Sequence, residues 1–84
     1  MSTIIPDLYV KPGCPWCEEA IDFLDNHGIQ YNRIDVISDQ KAFVEMIRIS
    51  GQSKAPTMTW GEDILSDFGA AELEPFLRKH KVIE

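Results

Sequence analysis

Between Tyr9 and Leu24 the chain reads YVKPGCPWCEEAIDFL, and within that stretch its hydrophobic period changes. The alternation of a strand gives way, after Lys11-Pro12-Gly13, to apolar residues at three- and four-residue steps: Cys17, Ala20, Ile21 and Leu24. A strand that turns this sharply into a helix commits the chain to packing that helix back on the sheet it has just left. Both cysteines of the protein lie at the switch, separated by two residues.

The remaining elements follow from the same signals. Residues 4–10 read as the strand, with Pro6 near its edge, and a helix runs from Pro15 to the stop signal Asn26-His27-Gly28. IQYNRIDV, residues 29–36, alternates as a second strand. SDQKAFVEMIRISG predicts a second helix with Ser38 or Asp39 as N-cap, a face formed by Phe43, Met46, Ile47 and Ser50, and Gly51 as stop. PTMTW and DILS flank Gly61-Glu62 as a hairpin. GAAELEPFLRKH closes the chain as a third helix, acidic early and basic late; Pro75 predicts either a kink or a helix that begins around Glu74. The order β-α-β-α-β-β-α predicts an α/β fold: one domain over residues 1–84, with a four-stranded mixed sheet and three helices on its two faces.

Charge narrows the function. A net charge of −6, without a run of like charges, disfavours nonspecific binding to nucleic acid or an anionic membrane. No apolar run is long enough to span a bilayer, and MSTIIPDLYV lacks the pattern of a secretory leader, so a soluble cytoplasmic monomer is expected. Two cysteines are too few for a disulfide framework, and a bridge across two residues would restrict the unfolded chain very little. Zinc needs four ligands; only His27 and His80 are left to complete a set, and neither has metal-site spacing, so no metal is expected. Redox chemistry remains.

That chemistry suits the position. Cys14 falls at or just before the first residue of the helix, and Pro15 suits the first helical position because no N–H is needed there. The unpaired N–H groups and partial positive charge of a helix start favour an anion, and thiolate is the nucleophile. Lys11 adds a cation at the strand end. Cys17 lies one turn deeper, close enough to close a bridge after a small adjustment. One exposed nucleophile and one sheltered resolving thiol are expected. Trp16, between them, falls off the buried helical face and reads as a groove rim; Trp60, before a hairpin glycine, reads as structural.

KPGCPWC closely resembles the KPxCPYC of glutaredoxins, which have the thioredoxin fold, with Trp16 where tyrosine is usual. ISGQSKAPT is similar to the family's xSGxxTVP, with Lys54 in place of the usual threonine. The resemblance covers nearly the whole chain and implies a glutathione-dependent thiol–disulfide oxidoreductase of cell redox homeostasis and electron transport, acting on glutathionylated or disulfide-containing proteins. It implies that Pro56 is a cis-proline beside the active site and that the Ala55 backbone pairs with the cysteinyl part of glutathione. Lys11, Trp16 and Lys54 would line the groove, and Arg48 matches by spacing a family glutamine that reaches the glycyl carboxylate, although it could equally complement its helix dipole. In place of the family's GGxDD the chain has SDFGAA, which is more like the N-terminal domain of glutathione S-transferases. By that likeness Asp67 would meet the glutathione ammonium, with the Phe68 backbone nearby. An iron–sulfur-bridged dimer, known in some relatives, is disfavoured by Pro15. A thioredoxin-like donor independent of glutathione and a redox-sensitive binding module are the alternative readings.

Overall fold

A computed structural model describes residues 4–83; Met1–Thr3, the start of the segment inspected for a leader, and Glu84 lie outside the described residues. Strand β1 (Asp7–Val10) leads into helix α1 (Pro15–Asn26), β2 (Asn32–Asp35) and α2 (Gln40–Ser50); β3 (Thr57–Trp60), β4 (Asp63–Ser66) and α3 (Ala70–Lys79) follow. The sheet order is β2-β1-β3-β4, with β1 parallel to β2 and antiparallel to β3, and β3 antiparallel to β4. This is the mixed sheet and element order that the alternating periods predict.

Strand alternation divides the core between the two faces of the sheet. Leu8 and Val10 of β1 point to one face, where they join Cys17, Ala20, Ile21 and Leu24 of α1 and Leu73, Phe76 and Leu77 of α3. Tyr9 points to the other face and packs with Val36 and Met46, under α2. The sheet therefore carries two helices on one side and one on the other.

Strand β1 begins at Asp7 rather than at residue 4, and three further features depart from the sequence reading. The second strand begins at Asn32 rather than at 29, because Ile29 belongs to the end of α1: its N–H donates to the Leu24 carbonyl at 3.0 Å while Gly28, at φ +65°, donates to Asp25. That paired C-terminal turn needs a left-handed residue, which glycine supplies at little cost. On α2, Ile47 is 38% exposed and does not share the buried face; Ala42, Phe43 and Ile49 flank Met46 there instead. At about 100° per residue Ile47 stands a quarter-turn from Met46, whereas Ala42, Phe43 and Ile49 lie within about 60° of it. Finally, α3 begins at Ala70 and runs through Pro75, so the start at Glu74 does not hold. Gly69 N–H donates to Glu72 Oε1 and the Gly69 carbonyl accepts from Leu73, which anchors the helix a turn before the proline. Pro75 itself is exposed, and the one helical bond it removes would have ended on the carbonyl of exposed Ala71.

The core under α1 holds the site in place. Leu24→Ala, at a fully buried position, is expected to lower the unfolding free energy by about 2–5 kcal/mol. Val44→Ala, 58% exposed on α2, should change it by less than about 0.5 kcal/mol. Urea denaturation followed by circular dichroism measures both.

Candidate active site

Cys14 is the N-cap of α1, with extended backbone angles (φ −91°, ψ 114°), and Pro15 takes the first helical position. The Cys14 sulfur accepts the Cys17 N–H at 3.3 Å, so it sits where a capping oxygen would sit and faces the unpaired amides of the first turn. On its other side the Ala55 carbonyl lies 3.9 Å away, within reach of the thiol proton. Cys14 is partly covered by this contact rather than fully exposed, while Cys17 is 1% exposed and belongs to the core. Both thiols are free. Burial pushes the Cys17 thiol up to about 12, and its hydrogen bond to Cys14 pushes the same way; a backbone hydrogen bond from Lys11 and the Lys11 charge oppose them only in part.

The opposite wall is the segment before β3. The Ala55–Pro56 peptide bond is cis, as the resemblance implies. Gln52 shapes this segment: its Oε1 accepts the Lys54 N–H at 2.6 Å, and its Nε2 lies 3.1 Å from both the Lys54 carbonyl and Thr57 Oγ1. Thr57, completely buried, returns a hydrogen bond to the Lys54 carbonyl. Lys11 ties the two walls together. Its ammonium donates to the Ser53 carbonyl at 3.3 Å and stands 5.9 Å from the centre of the Phe43 ring.

The far rim is the turn between β4 and α3. Asp67 adopts the left-handed conformation (φ +54°), and its N–H donates to the Pro56 carbonyl at 2.9 Å. Its carboxylate pairs with Lys54 Nζ at 3.8 Å. Phe68 is buried behind the rim in the same core as Cys17 and Ala55. Trp16, 59% exposed, leans over Gly69: a Cβ there would lie 3.0 Å from the indole and 3.2 Å from Glu19 Oε1, so a larger residue would push the indole or Glu19 outward by a few tenths of an ångström. Glu19 in turn accepts the Ala70 N–H at 2.7 Å.

Lys11, Trp16, Lys54, Ala55, Pro56 and Asp67 are therefore brought together around Cys14, with Cys17 and Phe68 in the core behind them. Arg48 does not join them. It pairs with Glu45 on its own helix and lines a cavity with Asp7, Thr59 and Gly61, at the opposite end of β1 and β3 from Cys14. A family spacing placed it in the groove; the direction of α2 across the sheet carries it elsewhere. His27 and His80 are the C-caps of α1 and α3, the one bonded to the Phe23 carbonyl and the other to Asp63, each 2.9 Å away. Among the described residues no group of three or more metal-ligating side chains gathers. Sequence reasoning missed Gln52, Ser53, Glu19 and Gly69. Gln52 lay inside a quoted motif, but an amide in an aperiodic loop gives no pattern, and the partner of Glu19 is 51 positions away.

A partly exposed cysteine at a helix start facing a cis-proline, with a second thiol buried one turn on, fits a thiol–disulfide oxidoreductase of the thioredoxin fold. The glutaredoxin family model matches residues 7–64, and the chain belongs to the glutaredoxin family. Among solved structures it is similar to a glutaredoxin from Archaeoglobus fulgidus (20% identity, TM-score 0.79, covering 90% of this chain and 88% of that one). A buckwheat glutaredoxin–glutathione complex is 17% identical with TM-score 0.72, over 93% of this chain and 72% of that one. The glutaredoxin-like NrdH-redoxin from Escherichia coli, described as having a thioredoxin-like activity profile, is 21% identical with TM-score 0.70, over 83% and 91%. No curated protein sequence matches the chain.

The asymmetry of the thiols is directly measurable. At pH 8, iodoacetamide should alkylate Cys14 alone, with Cys17 reacting only after denaturation; equal labelling of both in the native protein would contradict the buried, protonated Cys17. Stability should also respond to pH. The folded Cys17 thiol holds its proton to about 12, against an ordinary value of 9.0, so from about pH 9 upward the unfolded chain releases a proton that the native one keeps. Stability is then lost as pH rises through that window. The loss between pH 8 and pH 10, read from thermal melts of the reduced protein, should be smaller in Cys17→Ala than in the parent.

Proposed function

We propose that the protein is a glutathione-dependent thiol–disulfide oxidoreductase that reduces glutathione mixed disulfides and protein disulfides. The observation that carries the reading is the placement of the Cys14 sulfur, which accepts the Cys17 N–H and faces the Ala55 carbonyl of the cis-proline segment. A substrate sulfur that enters between these walls meets the nucleophile on one side and the Ala55 backbone on the other. Glutathione is the cosubstrate, with no permanently bound cofactor. The glutathione complex of the buckwheat relative supports this choice.

The Cys14 thiolate attacks the glutathionyl sulfur of a mixed disulfide; the old S–S bond breaks, and the target's thiolate leaves and takes a proton from water. Cys14–S–SG then has two exits. The thiolate of a second glutathione attacks the glutathionyl sulfur, which gives glutathione disulfide and restores Cys14. Alternatively Cys17 gives up its proton and attacks the Cys14 sulfur, releasing glutathione and leaving a Cys14–Cys17 disulfide that two further glutathiones reduce. In this reading Lys11, Trp16, Ala55, Pro56 and the Phe68 backbone line the site, and Asp67 meets the γ-glutamyl ammonium. The protein works as a monomer in the cytoplasm, where glutathione keeps thiols reduced, on glutathionylated or disulfide-containing proteins. A second reading is a thioredoxin-like donor fed by a flavoprotein reductase; what favours it is that Lys54 already occupies Asp67.

Turnover of the mixed disulfide of glutathione and 2-mercaptoethanol, coupled to glutathione reductase and NADPH, tests the proposal. The parent should turn over, Cys14→Ser should not, and Cys17→Ser should retain activity on this substrate while losing dithiol reduction of protein disulfides. An inactive parent, or equal loss in both variants, rejects it.

A further inference from the structure

The inference concerns what already occupies the groove, and it rests on the reading of Asp67 as the partner of the γ-glutamyl ammonium. A γ-glutamyl end is a zwitterion, with ammonium and carboxylate on one carbon. Its receptor must offer an anion to the first and N–H donors to the second. Asp67 is the anion. Three residues further on, the Ala70 amide, first of the ten-residue helix α3, has no partner within the helix and lies at the positive end of its dipole. The backbone fixes both relative to the nucleophile, since Cys14 contacts Ala55 and the next carbonyl, that of Pro56, holds the Asp67 N–H.

In this protein both positions are filled from within. The Lys54 ammonium stands 3.8 Å from Asp67 Oδ2, and the Glu19 carboxylate, reaching across from α1, accepts the Ala70 N–H at 2.7 Å. Glu72 takes the Gly69 N–H as well, and the Trp16 ring lies over Gly69 beside Glu19. The chain thus sets an ammonium and a carboxylate of its own where the two charges of a γ-glutamyl group would go. The geometry points to Lys54 and Glu19 as internal competitors for that zwitterion: they lower the protein's preference for glutathionylated substrates over disulfides that lack a γ-glutamyl end. Neither side chain is locked. The Lys54 and Asp67 side chains are 72% and 55% exposed and Glu19 is exposed, so each can swing into water when a ligand arrives. They act as competitors and not as a plug.

The sign of the effect separates this inference from the simpler view that Lys54 is a cation that helps to bind glutathione. Two probes suffice: mixed disulfides of 2-mercaptoethanol with glutathione and with N-acetylcysteinylglycine, which keeps the cysteinyl-glycine part and lacks the zwitterion. In a Cys17→Ser background each reaction stops at the Cys14 adduct, with 2-mercaptoethanol released, and mass spectrometry of quenched samples gives the second-order rate constant. The readout is the ratio of the two constants, which a general loss of fold or of Cys14 reactivity does not move. Because exposed ion pairs are weak, Lys54→Met should raise the glutathione preference about two- to five-fold, and Glu19→Ala by a similar factor. A ratio that stays constant or falls in both variants overturns the inference. Asp67→Asn, made in the Lys54→Met background, tells that failure from failure of the underlying reading. If it lowers the ratio, glutathione is recognised at Asp67 and only the internal competition is wrong. If it does not, the γ-glutamyl group is not bound at Asp67, and both fall.

Discussion

The hydrogen bond from the Cys17 N–H to the Cys14 sulfur, 3.3 Å long, is the contact on which the chemistry of the fold depends. A helix start must satisfy its free amides, and here a sulfur does the work usually left to a serine or aspartate oxygen. The arrangement requires Cys14 outside the helix with extended backbone and Pro15 inside it, which is the conformational preference of each residue. It also requires the helix to begin where β1 ends, so the β1–β2 and β1–β3 pairings that place β1 at the centre of the sheet place the nucleophile as well. Placing the Cys14 sulfur and forming the first turn of α1 are one event.

The facing wall is built on a different principle. No period organises residues 51–56; their shape comes from side chain to backbone bonds, with Gln52 gripping Lys54 at both its N–H and its carbonyl and buried Thr57 closing the loop. Lys11 ties this wall to the first through Ser53. Its ammonium therefore serves the spacing of the groove as well as its charge, and a change at Lys11 would alter both together. The β4–α3 turn then hangs from the Pro56 carbonyl through Asp67. Three segments distant in sequence are held around the Cys14 sulfur by a few polar contacts.

Those two principles explain what could be read in advance. Element order, sheet topology and the cysteine pair were legible because each rests on local rules: alternation in TMTW, the three- and four-residue steps from Cys17 to Leu24, a proline where an N–H is not needed. The family motif added the cis bond before Pro56, which no local rule predicts. Errors fell where one local signal had to outvote another. Ile29 looked like a strand residue but completes a helix end, and Pro75 looked like a helix start but is tolerated on an exposed face. In the site, the contacts that stayed hidden were long-range pairings of ordinary polar residues. Glu19 on an exposed helical face looks solvated until the fold brings Ala70 to it, and Arg48 had a plausible spacing but a helix that points it away.

Burial of Cys17 has two consequences that pull in opposite directions. In the proposed cycle, Cys17, with its thiol pushed up to about 12 and almost no exposed surface, does not compete with Cys14 for an incoming disulfide, so attack begins at Cys14. The same burial means that Cys17 resolves a mixed disulfide only as its proton departs, and desolvation, the first cause of its high value, resists that departure. An external thiol faces no such barrier. The monothiol exit is therefore open whenever a small reductant can enter the groove, whereas the dithiol exit depends on the proton finding a base as the Cys14–Cys17 bond forms, for which the thiolate leaving Cys14 is the nearest. In the proposed cycle that leaving thiolate is glutathione for every mixed-disulfide substrate, so the balance between the two exits is set by the burial of Cys17 and the supply of external thiol, not by the target's thiol.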